Sequence, residues 1–300
     1  MLRDLITWVL NTYLGNYLEN LNSAQLSVAL LSGEVELENV PIRKDALRSY
    51  GLPVEVSSGT IGKIKLQVPV RQFRTSPWRI TVKDIFCVIC PKDFENWDYA
   101  KEKLLDLEFK LSILDKAESK WRSEKGKQVE SYYFSSYNNW LKFGTSMATN
   151  IIDNIELQIS NVHFRYEDLI DIGNIKIAAG IKIGSLTAQS CDSNWVAGSS
   201  NTTNNEINYK IVELKELALY WDTLFNETKC QKYSNQELQA NMGPTCQSRP
   251  HQFIIKPMCA IARWKREKCL HVINSKDKPR VSCDLIMPEV IVVLTKTIDD

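Results

Sequence analysis

Two-residue periodicity runs through most of this sequence. Val35 and Leu37 alternate with Glu34, Glu36 and Glu38, Ile64, Leu66 and Val68 with Lys63, Lys65 and Gln67, and Ile80 and Val82 with Arg79, Thr81 and Lys83. Further along, Ile155, Leu157 and Ile159 alternate with Glu156, Gln158 and Ser160, and Val162, Phe164 and Tyr166 with His163, Arg165 and Glu167. Successive side chains of a strand point to opposite faces, so each run is a strand with one apolar and one polar face. The same reading places strands at Val54–Val68 around a Ser57-Ser58-Gly59 turn, and at Ile85–Ile89, Ile175–Ile183, Ile211–Trp221, Phe253–Ala262, Val281–Met287 and Val290–Leu294. A hairpin is expected from Gln25 through the Ser32-Gly33 turn to Leu37. A sheet of about ten such strands must bury its apolar face against something.

Few helices are available to cover it. Leu2, Leu5, Ile6, Val9, Tyr13, Tyr17 and Leu21 recur at helical spacing, with Leu10, Leu14 and Leu18 widening the stripe and Trp8, Tyr13 and Tyr17 supplying amphipathic rings. This amphipathic helix reads as a core helix, or as one that closes an end of the sheet and touches lipid. Asp98–Lys127 predicts a long surface helix with a narrow stripe at Leu104, Leu107, Leu111, Leu114 and Trp121, and aromatic-rich Ser131–Ile152 a second. Short helices are expected at Lys44–Tyr50 and Ser234–Asn241. The class is α+β, mainly β, with residues 1–97, a helical segment 98–153 and a β continuation 154–300 as its parts. Either the sheet closes as a sandwich or barrel, or part of its apolar face stays open as a groove.

The remaining signals exclude more than they assign. The 37 basic and 36 acidic residues leave a charge of +1, so nothing draws polyanions to the chain as a whole. No apolar run reaches the roughly 18 residues a membrane-spanning helix needs. The N-terminus lacks a signal-peptide cleavage site, and Leu2 stands where myristoylation needs Gly. Eight cysteines in 300 residues are too sparse for a disulfide framework, and reduced thiols are expected. Cys87 and Cys90 form a CxxC, but in a strand their sulfurs point to opposite faces. Cys259, Cys269, His271 and Cys283 lack the spacing of a zinc site, and the sequons at Asn201 and Asn226 matter only in a secretory lumen. No phosphate loop, dinucleotide fingerprint, nucleophile elbow or metalloprotease motif occurs, and His163 reads as a solvated residue of the polar face. The reading is a non-enzyme with no cofactor, metal, nucleotide or nucleic-acid partner.

The N-terminal residues carry a more specific signal. Trp8-Val9-Leu10-Asn11-Thr12-Tyr13-Leu14-Gly15, Asn20-Leu21-Asn22, Gln25 to Leu31, Val35-Glu36-Leu37-Glu38-Asn39 and Lys44-Asp45-Ala46-Leu47 follow one another in order. Leu52-Pro53-Val54, Gly59-x-Ile61-Gly62-Lys63-x-x-Leu66-x-Val68-Pro69 and Pro77-Trp78 continue the series, and Glu130–Tyr133, Asn154–Leu157 and Val162–Asp168 extend it more loosely. This ordered set resembles the chorein N-terminal domain of the vacuolar protein sorting thirteen family of bridge-like lipid transfer proteins, and is most similar to its D-type branch. The resemblance implies a twisted antiparallel sheet shaped as an open scoop, capped at one end by the N-terminal helix, with an apolar face carrying glycerophospholipids at membrane contact sites. Combined with the alternation, it makes Val35, Leu37, Ile64, Leu66, Val68, Ile80, Val82, Ile155, Leu157, Ile159, Val162 and Phe164 the expected lining, and Leu2, Leu5, Ile6, Trp8, Val9, Tyr13 and Tyr17 the capping or membrane-facing residues. It implies a cytoplasmic protein peripheral on the endoplasmic reticulum, with resident lipid-handling membrane proteins as further partners. Family members run to thousands of residues, so the chain is expected to be a fragment or short product holding the receiving end of a bridge. The alternative is a membrane or protein tether with a closed β-sandwich and no lipid transport.

Overall fold

The computed structural model describes residues 17–18, 33–50, 52–69, 76–92, parts of 99–118, 155–170, 175–198, 207–224, 232–243, 251–267 and 281–293. The chain divides into two compact units, Met1–Pro91 with Ile151–Asp300, and Lys92–Asn150. In the second unit the described residues between 99 and 118 are helical, as the leucine spacing predicts. Ser131–Ile152 and the Gln25–Leu31 half of the expected hairpin lie outside the described residues.

The described residues of the first unit form one open sheet of eight strands in sequence order: β1 (Glu34–Pro41), β2 (Val54–Gln67), β3 (Trp78–Pro91), β4 (Ile155–Ile170), β5 (Ile175–Cys191), β6 (Ile207–Leu224), β7 (Phe253–Glu267) and β8 (Val281–Ile286). Among the described residues β1 and β8 are its edges, and the eight strands close neither as a barrel nor on themselves. Every neighbouring pair is antiparallel except β3–β4, where Ile80 faces Leu157 and Val82 faces Ile159 in parallel register. The expectation of a wholly antiparallel sheet fails there for a topological reason. Parallel neighbours need a crossover connection, and residues 92–154 supply it.

The strands are longer than the expected segments. The Ser57-Ser58-Gly59 turn does not form; β2 runs through those residues with only a register shift between Val56 and Ser58. A bulge absorbs one extra residue without ending the strand, and Ile42 donates its backbone N–H to the Gly59 carbonyl at 2.9 Å. At Lys44–Tyr50 a 3-10 turn (Arg48–Tyr50) replaces the expected helix. Residues 290–293 form no strand but touch β7 through a single bridge, Ile255 to Val292. Tyr17 and Leu18, expected within the N-terminal helix, lie in a turn and a β-bridge to Ile42.

A transverse seam crosses the first six strands. Asn39, Asp84, Asn161 and Glu216 have positive φ (52°, 60°, 57° and 57°), and the pairing register sets them in line with Gly62 on β2 and Gly184 on β5. Asn161 Nδ2 donates to Asp84 Oδ1 at 2.5 Å across the parallel pair. The glycines permit the close approach: a Cβ on Gly62 would stand 2.8 Å from Asp84 Cβ, and one on Gly184 2.9 Å from Glu216 Cβ. A left-handed residue interrupts the strict alternation of faces. Leu37 and Val40, Ile61 and Ile64, and Val82 and Ile85, each three residues apart, accordingly pack in one cluster.

Beyond the seam the face opposite that cluster is covered as well. The short helix Asn235–Met242 starts with a capping box, in which Glu237 N–H donates to Ser234 Oγ at 3.3 Å and Ser234 N–H to Glu237 Oε2 at 2.8 Å. Its Leu238 and Met242 are buried on Phe86, Val88 and Cys90 of β3, with Tyr233 alongside. Tyr233 N–H donates to Ser58 Oγ at 2.8 Å, which ties the covering segment to β2.

Candidate functional site

The register links apolar residues into rows that cross the whole sheet. Val35 faces Leu66, then Ile80, Leu157, Ala188, Val212, Ala262 and Leu285 across eight strands. The next row runs Leu37, Ile64, Val82, Ile159, Leu186, Leu214 and Ala260. Across the seam the same face continues through Ile61, Ile85, Val162 and Ile183, and then Cys87, Phe164, Ile181, Leu219 and Ile255. Strands about 4.8 Å apart make this face roughly 35 Å wide.

Every one of the twelve residues expected to line a groove is described. Val35, Leu37, Ile64, Leu66, Ile80, Val82, Ile155, Leu157 and Ile159 share one face, and Val68 follows β2 at the same edge of it. Val162 and Phe164 join that face beyond the seam. Val35, Ile64, Leu66, Val68 and Val162 are buried; the others are half-buried. Burial is greatest toward β1–β3, where Leu18 packs on Val40, Ile61 and Ile64, and Tyr17 sits against the same cluster. Toward β8 the face opens: Ile181 is 41% exposed, Trp264 40% and Leu285 58%. The other six residues expected in the capping helix, Leu2, Leu5, Ile6, Trp8, Val9 and Tyr13, lie outside the described residues.

The reading from sequence stopped at β4 and missed Leu186, Val212, Leu214, Ile181, Leu219 and Trp264. A usable signal exists. Apolar residues three apart flank a polar or glycine pair at Leu37/Val40, Ile61/Ile64, Val82/Ile85, Ile159/Val162, Ile183/Leu186 and Leu214/Leu217, and the repeat marks the seam in each strand.

On the side of the seam that carries the first two rows, the opposite face is polar and laced with ion pairs. Lys63 pairs with Glu36 and, at 3.6 Å, with Glu38, Lys65 pairs with Glu34, and Arg79 Nε stands 3.0 Å from Glu156. The Lys63 ammonium holds the Glu36 carboxyl below its ordinary value. Such exposed pairs add little stability.

His163 corrects the expectation of a solvated histidine. It is 1% exposed, because the segment ending in Asn235–Met242 covers the polar face there. Its Nδ1 lies 3.2 Å from the Met242 carbonyl and its Nε2 2.7 Å from the Tyr220 hydroxyl. A carbonyl only accepts, so Nδ1 carries the proton and Nε2 accepts from Tyr220. Burial pulls this histidine down to about 3 and pushes the Tyr220 phenol up, so both stay neutral. Tyr220 stacks on His251, whose Nδ1 is 2.7 Å from Asp222 Oδ2. Beside them Arg165 Nε lies 2.9 Å from buried Glu167 Oε1, close enough for ion pairing although not aligned as a hydrogen bond, and Tyr233 donates its hydroxyl to Glu167 at 3.2 Å. This cluster faces away from the apolar rows and fastens the covering segment.

The CxxC divides as expected: Cys87 lies among Ala46 and Val56, Cys90 among Phe86 and Val88. Burial pushes the free Cys87 thiol up to about 12, which makes it unreactive. Cys90 is disulfide-bonded, against the expectation of reduced thiols, to a partner outside the described residues. Its side chain sits on the covered face, where the chain returns over β3. No helix among the described residues is long and apolar enough to cross a membrane.

Residues 1–298 match the VPS13-like family N-terminal region. The chain belongs to this family. It is 72% identical over 99% of its length to the intermembrane lipid transfer protein Vps13D of Drosophila melanogaster, and 36% identical over 95% to human VPS13D. Identity to the VPS13 protein of Chaetomium thermophilum is 30% over 98% of the chain, and to human VPS13C 23% over 99%, so the D-type similarity read from the N-terminal motifs holds. The chain spans only 8%, 6% and 9% of the length of the Drosophila, human D-type and Chaetomium relatives. Within the VPS13-like family this chain thus supplies an open, mainly β sheet with one apolar face.

Proposed function

We propose that this chain is the N-terminal part of a bridge-like lipid transfer protein, and that its apolar sheet face takes up glycerophospholipids and channels them at membrane contact sites. The observation that carries the reading is the set of unbroken apolar rows crossing up to eight strands, increasingly exposed toward β8. Moving an acyl chain from a membrane into water costs about 0.8 kcal/mol per CH₂, so two ordinary chains cost on the order of 20 kcal/mol. A continuous apolar face offsets most of that cost without forming or breaking a bond, so the chain needs no catalytic group. The relatives' names, intermembrane lipid transfer protein, agree with this reading.

In this scheme residues 1–97 form the cap and first strands, 98–153 a helical insert and 154–300 the continuation of the face. The chain works from the cytoplasm as a peripheral protein on the endoplasmic reticulum, with that membrane and its resident lipid-handling proteins as partners. The open sheet formed by the described strands supports this reading over the alternative of a closed-sandwich tether.

Native mass spectrometry of the purified chain tests the reading. Copurifying glycerophospholipids are expected, and Leu157→Asp, which places a charge on the half-buried apolar face, is expected to remove them. Gln158→Asp puts the same charge on the other face and leaves lipid occupancy intact. Undiminished lipid on a folded Leu157→Asp variant would refute the proposed lining.

A further inference from the structure

The helical stretch within residues 99–118 carries a leucine stripe with no function in the lipid-handling scheme. Leu104, Leu107, Leu111 and Leu114 are 59%, 53%, 49% and 56% exposed. Their spacing of three, four and three residues is that of alternate a and d positions over two heptads. The charges beside the stripe are sorted. Lys103 and Lys110 fall at g positions along one border, Glu108 and Asp115 at e positions along the other, and all four are exposed. Among the described residues none of the four makes an ion pair.

We propose that this stripe pairs with the same stripe of a second copy of the chain, as a short parallel two-stranded coiled coil. In a parallel pair each g side chain meets the e side chain five residues further along the other helix. Lys103 then meets Glu108 of the second copy, Lys110 meets its Asp115, and symmetry doubles both contacts. An antiparallel pair would set lysine against lysine and acid against acid, so the charge pattern selects the parallel arrangement. A membrane surface is a poor occupant, because one whole border of the stripe is acidic where a lipid-binding helix carries lysines and arginines. Two heptads are short, so the association is weak alone and gains strength when copies are concentrated on one surface.

Sedimentation velocity of the 300-residue chain over roughly 5–300 µM, with lysine-side (Lys103→Glu with Lys110→Glu) and acid-side (Glu108→Lys with Asp115→Lys) variants, tests this. A reversible dimer is expected for the unaltered chain. Each double variant should dimerise about tenfold or more weakly, and an equimolar mixture of the two should recover the dimer. These four residues are exposed, so the variants should fold as the parent does. Orientation is read by mild oxidation of Leu104→Cys in a background with the exposed Cys259 and Cys283 changed to serine. A covalent dimer of that variant supports the parallel pair. A cross-link only between Leu104→Cys and Leu114→Cys chains would overturn it in favour of an antiparallel pair. A chain monomeric at every concentration, or a dimer indifferent to both charge reversals, as pairing through an open sheet edge would give, would overturn the proposal outright.

Discussion

Acidification should loosen this sheet through His163, and the structure sets the size of the effect. In the unfolded chain the ring takes a proton near pH 6.5, whereas in the folded chain burial holds it neutral down to about pH 3. Between those values the unfolded state binds one more proton than the native state, so stability falls as pH falls, by about 1.4 kcal/mol per unit. From pH 7 to pH 5 the loss attributable to His163 is about 2 kcal/mol. Geometry supports the sign, because a second ring proton would point at the hydroxyl of Tyr220, 2.7 Å away, which already donates to Nε2. Urea unfolding of the parent and His163→Phe at both pH values isolates this contribution. The variant loses stability at both, since it leaves the Met242 carbonyl and Tyr220 hydroxyl unpaired, but its stability should depend about 2 kcal/mol less on the change from pH 7 to 5. An equal pH dependence in the two proteins would refute the assignment of His163 as a buried neutral residue.

The covering segment and the glycine beneath Tyr220 make further predictions. A Cβ on Gly180 would stand 2.3 Å from the Tyr220 ring, so Gly180→Ala must displace that ring from His163 and His251, at a cost of about 1–3 kcal/mol measured by denaturant midpoint. Ser234→Ala removes the capping box and should cost about 1 kcal/mol, read as faster amide exchange in Asn235–Met242 while β4–β6 stay protected. If exchange rises equally throughout the sheet, the helix and the sheet unfold as one unit and the segment is no local cover.

Much of the sheet was legible because one face of each early strand is apolar and the other charged. Glu34, Glu36 and Glu38 against Lys63 and Lys65 fix which side of β1 and β2 is which, and a one-residue slip would bury all of them. The alternation weakens from β5 onward, where Ala178, Ala179, Ala188, Ala260 and Ala262 occupy inward and outward positions alike, and small residues carry little periodic signal. The parallel β3–β4 pair was invisible because periodicity reports faces and not neighbours. His163 was misplaced for a related reason: alternation sends it off the apolar face, but not into water when another segment of the chain covers the side it reaches.

The seam explains how strands this long keep one face apolar past their midpoint. Without the left-handed residue at Asn161, strict alternation from Ile159 would send His163 and Arg165 onto the face of Leu157, and Val162 and Phe164 onto the other. With it, Val162 joins the row of Ile61 and Ile85, while Arg165 and Glu167 move to the covered side. Asn and Asp tolerate positive φ at low cost, Glu216 less so, and Gly62 and Gly184 give the neighbouring backbones room. Because the seam is in register across six strands, the switch falls at the same level in each, and the apolar rows on its two sides meet on one continuous face. That continuity is what a surface guiding an acyl chain requires, since one charged row across it would act as a barrier. Sequence alternation alone thus delivers two half-faces, and the short polar and glycine pairs at Glu38-Asn39, Gly62-Lys63, Lys83-Asp84, Ser160-Asn161, Gly184-Ser185 and Lys215-Glu216 join them into one.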